Sequence, residues 1–303
     1  MKKDTNLSKL PYALLPILFW SSHAVFIKFS VNLNNIGVFE MNIYRTIPIV
    51  ILGLIVAGKN SFKISHPRDL IPGVFLAINF YTFNYALKFI DAYLLIIIES
   101  SCFIFSIIYD RLAKQNTKFS WAALLLFVFG SAILLIEAFI RQDKVMIIGV
   151  LVALIVSMTF GLYNSTLYLI ENRPNKLLLM MAPILLTSIP FVFPEVSVKP
   201  FKVEIVLLTM LISGIFQTLF PYLLWSKATK YFSGIKLSEF LLLSIPGTFI
   251  VEYFTLKISP SKFQIAASLI LILATVFNII FIARNSKNDG LEPLAENRAI
   301  DTR

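Results

Sequence analysis

The sequence predicts an all-α, polytopic membrane protein with ten transmembrane helices. Ten apolar stretches lie almost end to end between Pro11 and Ala283. Each is long enough to span a bilayer, since roughly 20 apolar residues at about 1.5 Å rise cross about 30 Å of hydrocarbon. The composition agrees: 57% of the 303 residues are hydrophobic and 15% charged, against about 25% charged in an ordinary soluble domain. Helices rather than barrel strands follow from the pattern within the stretches. Barrel strands run about 10 residues with strict alternation, and Ile205–Leu211 does not alternate.

The predicted spans are 11–31, 36–57, 70–90, 92–109, 119–140, 145–170, 177–194, 203–226, 235–255 and 263–283. The first follows Lys2, Lys3 and Lys9, as a signal-peptide h-region would. It is too long for one and no A-x-A site closes it, so residues 1–10 read as a cytoplasmic terminus before a retained helix. The first links, around Asn32–Asn35, Gly58–Asp69 and Asp110–Lys118, carry turn-forming or charged residues. Prolines at 48, 72, 183, 190, 221 and 246 are placed to kink spans two, three, seven, eight and nine. The polar segment 284–303 reads as a cytoplasmic tail.

Lys and Arg set the orientation. With the amino terminus inside, 17 of the 27 fall in inner segments, 6 in outer loops and the rest within spans. Both termini are therefore expected in the cytoplasm. The net charge of +10 has this topological cause. The basic residues form no dense patch, so nucleic acid is not an expected partner. Cys102 is the only cysteine, which excludes an intrachain disulfide and a Cys-rich metal site. No G-x-x-x-x-G-K-[ST], H-E-x-x-H or G-x-S-x-G motif occurs. Neither ATP drive nor an intramembrane enzyme is indicated, and no metal or cofactor is expected.

An internal repeat runs through the chain. Lys118-Phe119-x-x-Ala122-Ala123-x-Leu125 matches Lys262-Phe263-x-x-Ala266-Ala267-x-Leu269 at an offset of 144, and Lys88-Phe89 matches Lys230-Tyr231 at 142. Asp110 falls opposite Glu252, also at 142. Residues 11–140 and 145–283 thus read as two five-helix repeats. Five is odd, so the second must sit inverted relative to the first, as in many transporters with a midplane site between repeats.

Four places also resemble the EamA-type drug/metabolite transporters. Trp20-Ser21-Ser22 followed by Lys28 is similar to that family's W-[GS]-x-x-[FV]-x-x-x-K opening. Arg45 sits where the family has its arginine. Tyr85-Ala86-Leu87-Lys88-Phe89, echoed by Ser226-Lys227-Ala228-Thr229-Lys230-Tyr231, resembles the segment ending helix three. Pro246 followed by Glu252 resembles the helix-nine run. Glu99-Ser100 and Asp110 depart from the usual pattern. The resemblance implies ten helices in two repeats and movement of a small metabolite across a cytoplasmic membrane.

Ionisable groups in hydrocarbon cost several kcal/mol on insertion scales and face a partner or a cavity. His23, Arg45 and Glu99 lie near mid-span. Arg45 is a candidate for an anionic part of a substrate, and Glu99 for a cation or coupling proton. The alternative is a structural Arg45–Glu99 ion pair. Lys28 and Glu40 flank the first outer loop, where they could pair in a structural role, while Glu252, near a span end, is expected to anchor at the interface. Polar stripes mark further candidates: Tyr81, Asn84 and Lys88; Ser157, Gly161, Asn164 and Tyr168; Ser213 and Gln217. Trp20 and Tyr163 are candidate stacking residues. The expected substrate set is therefore Trp20, His23, Arg45, Tyr81, Asn84, Glu99, Tyr163, Asn164 and Gln217, with Pro246 and Gly247 as the gate hinge.

The function these readings favour is a secondary transporter, monomeric or homodimeric, in the cytoplasmic (inner) membrane of a bacterium. It would move an amino acid, nucleotide-like cofactor or related solute by alternating access. A flippase for a lipid-linked carrier would need a lateral opening. A non-transporting receptor or assembly subunit would give no solute flux.

Overall fold

The computed structural model describes residues 9–33, 36–61, 63–113, 120–140, 144–170, 173, 175–196, 203–232 and 234–288. All ten apolar stretches are helical in it, and no strand occurs among the described residues. The helices are α1 (Pro11–Leu33), α2 (Val38–Ala57), α3 (Ile71–Ala86), α4 (Ala92–Glu99), α5 (Cys102–Leu112), α6 (Trp121–Ile140) and α7 (Lys144–Thr166). They continue as α8 (Lys176–Val196), α9 (Val203–Thr209), α10 (Phe220–Ala228), α11 (Gly234–Phe240), α12 (Ser244–Leu256) and α13 (Lys262–Asn288). By length and composition five rods among the described residues are apolar enough to cross a membrane: Pro11–Val31, Val38–Asn60, Ala92–Leu112, Lys144–Ile170 and Val203–Ala228. Shorter apolar helices accompany them at Trp121–Glu137, Lys176–Val192, Leu241–Leu256 and Lys262–Ala274. Ile55 and Leu125 stay about 70% exposed, as expected where lipid rather than water covers the outer face. The protein is an all-α polytopic membrane protein.

Two spans that read as continuous in the sequence are broken. The fourth parts into α4 and α5 at Ser100–Ser101. There the Ser100 hydroxyl donates to the Ile96 carbonyl (2.6 Å) and that of Ser101 to Ile98, so side chains take up acceptors of the helical ladder. The ninth parts at the 3₁₀ turn Leu241–Leu243, where Ser244 Oγ donates to the Leu241 carbonyl (2.5 Å). Residues 99–101 and 241–243 are 142 positions apart, the offset of the sequence repeat. In the eighth span a π-helical stretch, Met210–Leu219, joins α9 to α10. The final helix continues to Asn288, five residues beyond the predicted span; residues 1–8, 118–119 and 289–303, on which readings of the termini and the repeat partly rest, lie outside the described residues.

Helix contacts link the first half of the chain to the second. α3 packs on α7 and α8, α2 on α8 and the π stretch, α5 on α7, α1 on α10 and α12, and α6 on α13. Two crossings depend on glycine. A Cβ at Gly73 in α3 would stand 2.1 Å from the Leu179 carbonyl oxygen of α8, and one at Gly161 in α7 would stand 2.3 Å from that of Cys102 in α5. Neither backbone can yield without moving its helix. Gly161→Ala is therefore expected to lower stability by about 1–3 kcal/mol through overpacking, read as a fall in the thermal midpoint of the detergent-solubilised protein. An unchanged midpoint would mean that α5 and α7 are not held this close.

Candidate functional site

The two helix breaks meet at one cavity. Ile96, Glu99 and Ser100 line it from the first break and Leu241 and Ser244 from the second. Trp20 and His23 of α1, Arg45 of α2, Asn79, Phe80 and Phe83 of α3, Phe160 of α7 and Tyr222 of α10 complete the wall. The empty space they bound, measured out to the solvent at its mouth, is about 450 Å³. Helices drawn from both halves of the chain therefore surround it.

Arg45 is 2% exposed. Its guanidinium lies over the Phe80 ring, 3.9 Å from the centroid. Its Nε donates to Thr218 Oγ1 and its Nη1 to Asn84 Oδ1, both at 3.4 Å. Those two long contacts use two of the five N–H donors a guanidinium carries. Glu99 shares the cavity wall with Arg45, but among the described residues no direct ion pair joins them. A cation and a carboxylate thus stand in one cavity with aromatic rings between other polar groups. Such a wall suits a small solute with an anionic group, a hydrogen-bond donor and an apolar or planar part.

Trp20, His23, Arg45 and Glu99, drawn from four separate stretches of sequence, come together here. The other five sequence candidates lie off the cavity wall. Asn84 stands behind Arg45 and donates to Asn42 Oδ1 (2.8 Å). Tyr81 points away to α8, where its hydroxyl bonds Ile184 O (3.0 Å) and Ser188 Oγ (2.9 Å). Tyr163 donates to the Met180 sulfur (3.3 Å) and its ring backs Phe160 and Tyr222. Asn164 accepts from Trp225 Nε1 (2.9 Å) and donates to Ser238 Oγ (2.9 Å). Gln217 Nε2 donates to Ser22 Oγ (3.1 Å) while its carbonyl meets His23 Nδ1 (3.3 Å). Pro246 sits in the first turn of α12 just after the 3₁₀ break, a turn in which its missing N–H costs nothing. Gly247 lets α12 press on α1: a Cβ there would lie 2.5 Å from Ser21 Oγ.

Polar clusters flank the cavity along the α4–α5 rod. At the Ala92 end, Lys28 of α1 pairs with Asp91 and, at 3.4 Å, with Glu252 of α12. Glu252 is fully buried and accepts the backbone N–H groups of Ala92 (2.8 Å) and Tyr93 (2.7 Å), satisfying donors that open the helix. The candidate Lys28–Glu40 pair and the expected interfacial role of Glu252 are thus both corrected. Glu40 instead bonds the Gly37 N–H (3.0 Å) and the Tyr44 hydroxyl (2.5 Å), because α2 turns its first acidic residue back on its own N-terminus. On the other side of Glu99, Ser106 of α5 bonds Ser238 of α11 (3.1 Å), which receives Asn164.

Asn79, Phe80, Phe83, Ile96, Phe160, Tyr222, Leu241 and Ser244 line the cavity although the sequence does not single them out, and Ser100, marked in the sequence only as a departure from the family pattern, joins them. Asn79 carried the one usable signal, a carboxamide in an apolar run.

Residues 7–137 match the model of the EamA-like transporter family. Trp20, Lys28, Arg45 and Tyr85–Phe89 fall inside that stretch, so the match bears out the resemblance seen in those motifs and relates the chain to membrane transporters of the drug/metabolite type. A solved structure described only as "Crystal structure of protein" shares the fold with a TM-score of 0.63, over 90% of this chain and 97% of that one, at 15% identity. Comparison with curated proteins returns no match.

Proposed function

We propose that this chain is a secondary transporter that carries a small metabolite through the cavity by alternating access between two inverted five-helix halves, 11–140 and 145–283. The observation that carries the reading is the pair of helix breaks. Both occur at equivalent places in the repeat, and both line the same cavity. Broken helices at a central site between repeats are how many secondary transporters expose backbone and polar groups to a solute within the membrane.

Arg45 holds an anionic group of the solute, the rings of Trp20, Phe80, Phe160 and Tyr222 cover its apolar part, and Glu99 receives a proton or cation. The two polar clusters lie roughly 10 Å to either side of Glu99 along the rod, seven residues each way at about 1.5 Å per residue. They act as latches across the seam between halves. With both termini in the cytoplasm, the orientation that the Lys and Arg bias favours, the Lys28–Asp91–Glu252 latch faces outward and the Ser106–Ser238–Asn164 latch inward. A bacterial cytoplasmic membrane is the proposed home.

The test is counterflow in proteoliposomes with a panel of amino acids, nucleotides and adenosyl compounds. A panel member accumulates in liposomes preloaded with it; absence of flux across the panel and for lipid-linked carriers would leave a receptor or assembly role. Glu99→Gln is expected to give folded protein whose counterflow no longer varies with pH, because the amide cannot take up or release the coupled proton. Retained pH dependence would move the proton site elsewhere.

A further inference from the structure

The π-helical stretch runs into α10, and at the junction the Phe220 N–H reaches five residues back to the Ile215 carbonyl. The π stretch also draws Thr218 Oγ1 onto the Ser213 carbonyl, five residues back (2.6 Å). Across the seam, His23 Nδ1 meets the Gln217 carbonyl at 3.3 Å. A carbonyl only accepts, so the proton of a neutral imidazole must sit on Nδ1 and the lone pair on Nε2. The ring lines the cavity and is 5% exposed, packed edge-on to Phe83, and Nε2 is buried with no partner among the described residues.

We infer that the Gln217 backbone carbonyl locks His23 as the Nδ1–H tautomer, and that His23 Nε2 accepts a hydrogen bond from an N–H or O–H group of the transported solute. The inference rests on the cavity being the transport site. It adds a specificity rule: solutes with a donor beside their anionic group are taken, and counterparts whose donor is fully methylated are refused. A methylated group leaves the buried nitrogen unpaired, a cost that selects against it by about tenfold or more. Gln217 is then a positioning residue that acts through His23.

His23 and His66 are the only histidines, so ¹⁵N-histidine labelling of the full chain in nanodiscs gives two sets of ring signals, and His23→Phe assigns them. At neutral pH the His23 set is expected to show a protonated Nδ1 and a bare Nε2. The probes are alanine, leucine and phenylalanine, each beside its N,N,N-trimethyl betaine, which keeps the carboxylate and loses every N–H. The Nε2 signal should move with at least one amino acid and not with its betaine. Counterflow should prefer that amino acid by about tenfold or more in the wild type and lose the preference in His23→Phe. A protonated Nε2, or an Nε2 that answers both members of every pair or none, overturns the inference. An Nε2 response without counterflow would overturn the transport reading and leave the histidine assignment standing.

Discussion

Arg45→Ala is expected to fold normally and to lose counterflow by about 100-fold. The loss follows from removing a desolvated charge that grips an anionic group, an interaction of about 2–5 kcal/mol when truncated. Normal folding follows from the surroundings. Among the described residues Arg45 makes two hydrogen bonds, both long, and Asn84 keeps its bond to Asn42 when the guanidinium is gone. Removing a charge from the apolar interior also lowers the cost of insertion. Arg45→Lys should fall between the two. It keeps the charge but loses the planar face that lies on Phe80 and the fork that suits a carboxylate or phosphate. The measurement is initial counterflow rate beside gel-filtration profile and thermal midpoint. Full flux in Arg45→Ala would make the residue part of the scaffold, with the anion site elsewhere in the cavity.

Charge in an oily sequence made the centre of the site legible. His23, Arg45 and Glu99 stand out because each is costly where it sits, and their convergence on one cavity follows from that cost. The apolar wall was not legible. Phe80, Phe83 and Phe160 are three among 28 phenylalanines, and no local pattern separates a ring facing a cavity from one facing lipid. Helical stripes misled on α3. Tyr81, Asn84 and Lys88 share one face by spacing, whereas the cavity takes Asn79, Phe80 and Phe83, since α8 packs against the side that carries Tyr81. The two helix breaks were hidden for a related reason. Stretches 92–109 and 235–255 each read as one span despite Glu99 in the first and Pro246 in the second, and the serines that part them read as ordinary small residues of a membrane helix. Glu252 shows the same gap between position and environment. Near a span end it reads as an interfacial anchor, yet α4 starts directly against it.

Glu252→Ala is expected to destabilise the folded protein by about 2–5 kcal/mol. Two buried backbone N–H groups, of Ala92 and Tyr93, lose their acceptor, and Lys28 is left with Asp91 as its remaining counter-ion. Salt should change the effect little, because the carboxylate is fully buried and screening acts on exposed pairs. Glu252→Gln should cost less: its single amide oxygen can still accept one of the two N–H groups, and the amide adds no net charge. The ordering wild type, Gln, Ala in thermal midpoint is the measurement, made in detergent at two salt concentrations. The effect should also reach the cavity. α4 is only eight residues long, with Glu252 at its first turn and Glu99 at its last, so an end that is no longer held lets the carboxylate shift. Glu252→Gln, which is expected to stay folded, should therefore raise KM for the transported solute even though residue 252 does not line the site. Equal midpoints for all three proteins would show that α4 is positioned by packing alone, and the outward latch would then have to be sought outside the Lys28–Asp91–Glu252 cluster.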